Sequence, residues 1–272
     1  MKARRFDAFP FAGTPVELSL LECRLTELSG VVDRFIIVEA TTDHMGRPKA
    51  LNYIENECRF KPWADQIVYV VADDLPSIEE NDWFWAREHA QREHIGEGLD
   101  LVGADSNDIL LQSDLDEIPT RLAVRNVNPG VMSSVVSFQQ RGHFWAVDWQ
   151  HPAPWQGTTA CRVGHLASMA RESVSPFAAM RDARNMTRPT TIPNAGWHFS
   201  WLGGNWDAWN TKHDMFCHNG QVRDFHKSAE HYYRDGVHPT DNVKMIPVDV
   251  DDTYPVWMQD RANVPDSWFR PR

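Results

Sequence analysis

Hydrophobic positions in the first 120 residues come as short continuous runs, separated by stretches in which they recur every third or fourth residue. Phe6 to Phe11 reads as a short strand closed off by Pro10 and Gly13, and Pro15 suits the first turn of a helix. Leu18, Leu21, Leu25 and Leu28 put one apolar stripe along that helix, and Gly30 stops it. Phe35 to Val38 is short and β-branched, as a strand buried on both faces would be. It ends at Glu39, before a polar loop, 40–49, that carries Gly46 and Pro48. Ile67 to Val71 repeats the pattern and stops before Asp73-Asp74. Asn81 to Ile95 reads as a helix capped by Asn81 or Asp82, with Arg87 and Gln91 on one face and Glu88 and Arg92 on the next. Ile109 to Leu111 is a further buried strand, and Val131 to Phe138 adds one more. The alternation predicts an α/β fold with a mostly parallel, helix-covered sheet.

Beyond residue 140 the pattern changes. Aromatics and histidines dominate at Gly142 to Trp145, Trp149, Trp155 and Gly196 to Gly204, and at Trp206 and Trp209. From Val237 onward Pro and Asp accumulate, which argues against a helix and for a tail packed over the body. The 272 residues suit one large domain or a domain with an appended lobe. A hydrophobic fraction of 42% with 24% charged residues is that of a folded globular chain. A net charge of −11 argues against duplex nucleic acid as a partner, while leaving room for a nucleotide-sized ligand held by local cations. No apolar run reaches the ~18 residues of a membrane span, and no signal-peptide stretch follows the basic start, so a soluble cytoplasmic protein of bacterial or phage type is expected. Cys23, Cys58, Cys161 and Cys217 are scattered and read as reduced thiols. The count of 12 Trp is high for this length.

The candidate chemistry lies where the Ile109–Leu111 run ends, at Asp114, Asp116 and Glu117, with Pro119 forbidding further pairing. Ligands of open α/β sheets bind at the carboxyl ends of such strands. Two carboxylates that close repel one another, and a divalent cation, Mg²⁺ or Mn²⁺, is the usual remedy and commonly also grips phosphates.

Six ordered blocks carry a further signal: Phe6 to Phe11, Glu17 to Leu28, Val32 to Glu39 with Gly46 to Leu51, Arg87 to Arg92, Ser113 to Pro119, and Gly196 to Gly204. Together they resemble glycosyltransferase family 17, the family of the bisecting N-acetylglucosaminyltransferase that acts on the β-mannose of N-glycans. The resemblance implies a GT-A fold, Rossmann-like, with an aromatic-rich C-terminal acceptor lobe. Residues 1–236 would form the transferase domain, 1–130 binding the nucleotide sugar and 131–236 the acceptor, with 237–272 as the tail. It also implies a nucleotide-sugar donor, a UDP-sugar favoured, a divalent metal, a glycan or other hydroxyl acceptor, and inversion at the anomeric carbon.

On that resemblance Asp116 would hold the metal, with Asp114 touching the metal or the donor's ribose. His198 or His218 would complete the site, each equally readable as a histidine of an aromatic core. Arg87 or Arg92 would reach the donor's phosphates or base, although Arg92 also pairs with Glu88 at i,i+4. Glu39 would meet the nucleoside, or cap the loop after it. Lys49 and Lys212 would approach the diphosphate. An inverting transfer needs a base for the acceptor hydroxyl; Asp207, after Gly203-Gly204, leads, with Glu172 and Asp148 as alternatives. Trp145, Trp197 and Trp201 would serve as sugar-stacking platforms, against core packing as the ordinary fate of a Trp. Two other classes remain open: a haloacid-dehalogenase-like phosphotransferase, with Asp249, Asp251 and Asp252 as its late acids, and a non-catalytic carbohydrate-binding protein.

Overall fold

The computed structural model describes all residues except 1, 78–84, 129–133, 174, 186–189, 216–224, 239 and 272, and the side chains of Glu172 and 225–229. Among the described residues eleven strands join one mixed sheet. They are β1 (Arg5–Phe11), β2 (Arg34–Ala40), β3 (Ile67–Ala72), β4 (Ile109–Gln112), β5 (Glu117–Pro119), β6 (Val136–Phe144), β7 (Trp149–Gln150), β8 (Trp155–Arg162), β9 (Thr190–Ile192), β10 (Gly196–Ser200) and β11 (Ile246–Pro247). The α-helices are α1 (Pro15–Leu28), α2 (Asn52–Glu55), α3 (Ala86–Glu93), α4 (Ile95–Leu101), α5 (Arg121–Asn126), α6 (Val163–Glu172), α7 (Pro176–Asp182), α8 (Trp206–Met215), α9 (Phe225–Asp235) and α10 (Val256–Gln259).

The first half is parallel, in the order β3-β2-β1-β4, the arrangement of a Rossmann-like half. Strict alternation sends side chains to both faces. Phe9, Phe11, Phe35, Ile37, Ile109 and Leu111 pack against the leucine stripe of α1. Their neighbours Phe6, Ala8, Ile36, Val38 and Leu110 pack against Ile95, Leu99, Phe177 and Met180 on the other face. Burial on both faces is why these strands read as continuous apolar runs. Helix α1 starts at a capping box: Thr14 accepts from the Glu17 amide, and Glu17 accepts from the Thr14 amide.

The second half is mixed. β8 lies antiparallel between β4 and β6, while β10 runs parallel to β6 and antiparallel to β5. That double pairing sets His198 opposite Glu117, at the carboxyl end of β4. Beyond it, Phe144, Trp145, Trp149, Trp209 and Met245 form a separate aromatic cluster with Trp201, Tyr232 and Tyr233. Tyr254, Trp257, Met258, Val264 and Trp268 are built into the main core beside α1, so these tail residues are part of the body's interior.

Three expectations shift. The helix expected from Asn81 begins at Ala86 among the described residues and breaks at His94, where α4 starts; Asn81 and Asp82 lie outside the described set. The strand expected over Val131–Phe138 runs from Val136 to Phe144, with 131–133 outside the described residues. Among the described residues the tail carries the helical turn α10, which Pro255 tolerates because at the N-cap it costs no hydrogen bond, and a 3-10 turn at Asp266–Trp268.

Candidate active site

The β4–β5 turn, 113–116, is held from below by one buried side chain. Arg24 of α1 pairs with Asp7 of β1, both fully buried, at 2.6 and 2.7 Å. Its guanidinium also donates to the carbonyls of Asp114, Leu115 and Glu117 and to the Ser113 hydroxyl. A fork of fixed donors suits a turn with several carbonyls to satisfy. Glu117 is fully buried beside it. It accepts from Arg181 (2.8 and 3.0 Å), Arg184 (2.9 Å), the Trp155 indole (2.7 Å) and the Asp114 amide (3.1 Å).

Asp114 is half-buried, with one oxygen on Arg92 at 2.8 Å and the other on Arg181. Burial would raise its pKa, but Arg181, Arg92 and Arg184 hold it well below the usual carboxylate range. Glu117 is lowered in the same way, with Arg181 outweighing the effect of burial. Both Asp114 oxygens are committed to guanidinium groups. Asp114 thereby brackets the arginines at the edge of the site.

Asp116 faces different partners. One oxygen lies 3.0 Å from the Lys212 ammonium, the other 3.6 Å from His198 Nε2. The His198 ring stacks on Trp155 at 4.5 Å and meets the edge of Phe144 at 5.4 Å. Burial lowers its pKa despite Asp116 and Glu117, so the ring is neutral near pH 7. Burial also opposes the charge on Lys212, but Asp116 more than compensates and the ammonium is held charged. Lys212 also lies 5.6 Å above the Trp201 ring. The paired strands β6 and β10 end side by side in two left-handed residues, Trp145 (φ 70°) and Trp201 (φ 59°). Such strain in bulky residues collects at functional sites.

A carboxylate and a neutral imidazole side by side fit a hard divalent cation that keeps its other positions for phosphate oxygens and water. Among the described residues no third His, Cys or acid joins them at ligand spacing, and His218 lies outside the described set.

The remaining expected residues disperse. Glu39 is fully buried and accepts from Lys49, the Asn52 and Tyr53 amides and the Tyr69 hydroxyl, so it caps α2 and has no oxygen left for a nucleoside. Lys49 is consumed by Glu39 and the Ala50 carbonyl. Arg87 ties two loops together through Thr42, Asp43, Leu75 and Pro76. Arg92 stands at the site through Asp114 and also pairs with Glu88. Asp148 holds the Arg270 amide and guanidinium, a buried fastening of the tail. Glu172 ends α6, its side chain outside the described set. Asp207 is exposed in the first turn of α8, roughly 140° around the helix from Lys212. Trp145 is fully buried, its indole donating to the Val237 carbonyl, and Trp197 is buried in the main core; neither can stack a sugar. Trp201 is partly open beside Lys212. Asp249, Asp251 and Asp252 are exposed in the tail, with Asp251 turned onto Thr253, so they form no late acidic pair for Asp114.

Arg24, Arg181, Arg184 and Trp155 were not foreseen. Only the Glu17-to-Leu28 block hinted at Arg24, and 181–184 carries no motif.

The family model described as glycosyltransferase family 17 matches residues 1–251. The human β-1,4-mannosyl-glycoprotein 4-β-N-acetylglucosaminyltransferase is 24% identical over 206 residues, 68% of this chain and 38% of that protein, and the rat protein matches to the same extent. The chain thus spans well under half the length of these curated relatives. Among solved structures, a mannosyltransferase from Pyrobaculum calidifontis in complex with GDP-Man and Mn²⁺ is similar over 86% of this chain and 70% of that one, at 10% identity and TM-score 0.42. A glucosyl-3-phosphoglycerate synthase from Mycobacterium tuberculosis with Mn²⁺ and UDP is similar over 93% and 90%, at 12% identity and TM-score 0.35.

Proposed function

The chain belongs to glycosyltransferase family 17, and from that premise we propose that it moves a sugar from a nucleotide-diphosphate donor to a hydroxyl acceptor with inversion. The observation that carries this reading is the Asp116 carboxylate set between the neutral His198 ring and the Lys212 ammonium at the end of β4. Asp116 and His198 would hold Mn²⁺ or Mg²⁺, which when bound would neutralise the charge growing on the leaving diphosphate. Lys212 adds a fixed positive charge on the same side, and Arg92 and Arg181, pinned by Asp114, form a cationic wall. Because their geometry is set before the donor arrives, little reorganisation remains for the transition state. Residues 1–130 supply most of the donor half in this reading and 131–236 the acceptor half. Trp201 is the open aromatic platform for the acceptor, and Asp207, at the mouth of α8, is the proposed base.

The curated relatives are N-acetylglucosaminyltransferases, which makes UDP-GlcNAc the first donor to try. A panel of nucleotide sugars with Mn²⁺, scored for release of the nucleoside diphosphate, tests the reading without knowledge of the acceptor. UDP with Mn²⁺ at a hundred times Kd should stabilise the protein by about 2.7 kcal/mol. Asp116→Ala should lose most of that stabilisation. A full-sized shift in the variant would remove Asp116 from the site. Asp207→Asn should lower transfer while leaving donor binding unchanged.

A further inference from the structure

Two imidazoles and a carboxylate converge outside the β4–β5 turn. His151 follows β7, and His238 and Asp241 lie in the loop between α9 and β11; their ligand atoms all lie within 4.8 Å of one another. His151 Nε2 is 3.1 Å from one Asp241 oxygen and His238 Nδ1 is 2.8 Å from the other. These spacings are near the roughly 3.3 Å between ligands of a tetrahedral zinc.

The backbones are fixed in advance. His151 N donates to Gly142 O, His238 N to Val243 O and Asn242 N to His238 O, and Val237 bridges Lys244 across the loop. The Val243 amide orients the Asp241 carboxylate. The Ala153 amide donates to His151 Nδ1 at 3.1 Å, which fixes the rotation of the ring and turns Nε2 toward Asp241. Phe144 backs the pair, its ring 4.2 Å from His238 and 6.3 Å from His151. The side chains of His151 and His238 are mostly buried while that of Asp241 is half exposed, leaving an open side for a water ligand.

We propose that His151, His238 and Asp241 form a second metal site, for a transition-metal ion of the zinc class, that fastens the loop before β11 to the loop between β7 and β8. Nitrogen-rich ligation separates it from the oxygen-seeking cation expected at Asp116.

The test uses the full chain after dialysis against a chelator. Zn²⁺ is titrated with bound metal measured per chain, and Co²⁺ serves as a spectroscopic stand-in. The Asp116→Asn variant is the background, so the other carboxylate–imidazole pair does not contribute. The expected result is one equivalent of zinc, visible d–d bands of a four-coordinate cobalt site, and a melting temperature raised by roughly 5 °C at a hundredfold excess over Kd. His238→Gln and His151→Gln should each remove that equivalent while still melting cooperatively without metal. Asp241→Asn carries the test if either fails to fold. Absence of stoichiometric zinc, or its retention in these variants, overturns the proposal.

Discussion

Asp114 and Asp116 are two residues apart, yet their neighbours give them different tasks. Guanidinium groups occupy both oxygens of Asp114, while Asp116 faces an ammonium and a neutral imidazole. The pKa of Asp114 is depressed in the folded state, so its contribution to stability is complete above the unfolded value of about 3.9 and disappears as pH falls through the lower folded value. The gap in melting temperature between the wild type and Asp114→Asn should therefore be constant above about pH 5 and shrink below about pH 4. Thermal melts across that range check it, and a gap that widens on acidification would contradict the assignment. A D-x-D spelled in the sequence locates these carboxylates; it does not divide the labour between them, because Arg181 reaches Asp114 from 67 residues away.

At the scale of elements, α1 is legible because its stripe, capping box and N1 proline are local signals. That the same helix supports the acidic turn is not legible, since Arg24 reaches residues about ninety positions away. Arg24→Met leaves Asp7 as a buried charge without its partner, which costs about 3–5 kcal/mol. Denaturant unfolding should show that loss, and any folded fraction should bind UDP and Mn²⁺ poorly because the turn is released. The Gly203-Gly204 pair has an equally non-local reason. Gly204 sits at φ +61°, and a Cβ there would stand 2.0 Å from the Ser267 carbonyl oxygen. Gly204→Ala should cost about 2 kcal/mol or more from left-handed strain and displacement of the tail, read as a lower urea midpoint.

For the whole molecule, groups buried uncharged add to the loss of stability in acid. His143 is fully enclosed beside Phe199 and Tyr254, and burial pushes its pKa down to about 3. The unfolded chain takes up that proton near pH 6.5, so stability falls as pH drops from about 6.5 towards 3, by up to roughly 1.4 kcal/mol per pH unit. His143→Phe should flatten this limb in urea midpoints measured from pH 7 to pH 4; an unchanged slope would assign it elsewhere. The tail joins the core beside α1, with Val256 N donating to Glu27 from 229 residues away.

Taken by itself, the order of residues determined the α/β class, the parallel half-sheet and the end of β4 as the place where acids gather. Those follow from periodicity and turn chemistry, which act over a few neighbours. Only the tertiary structure decided that Glu39, Lys49 and Arg87 are fastenings, that Trp145 and Trp197 are core, and that His198, Lys212 and Arg181 stand around the acids. Ion pairing and burial depend on distance in space, and long loops cost little to close, so such partners can come from anywhere in the chain.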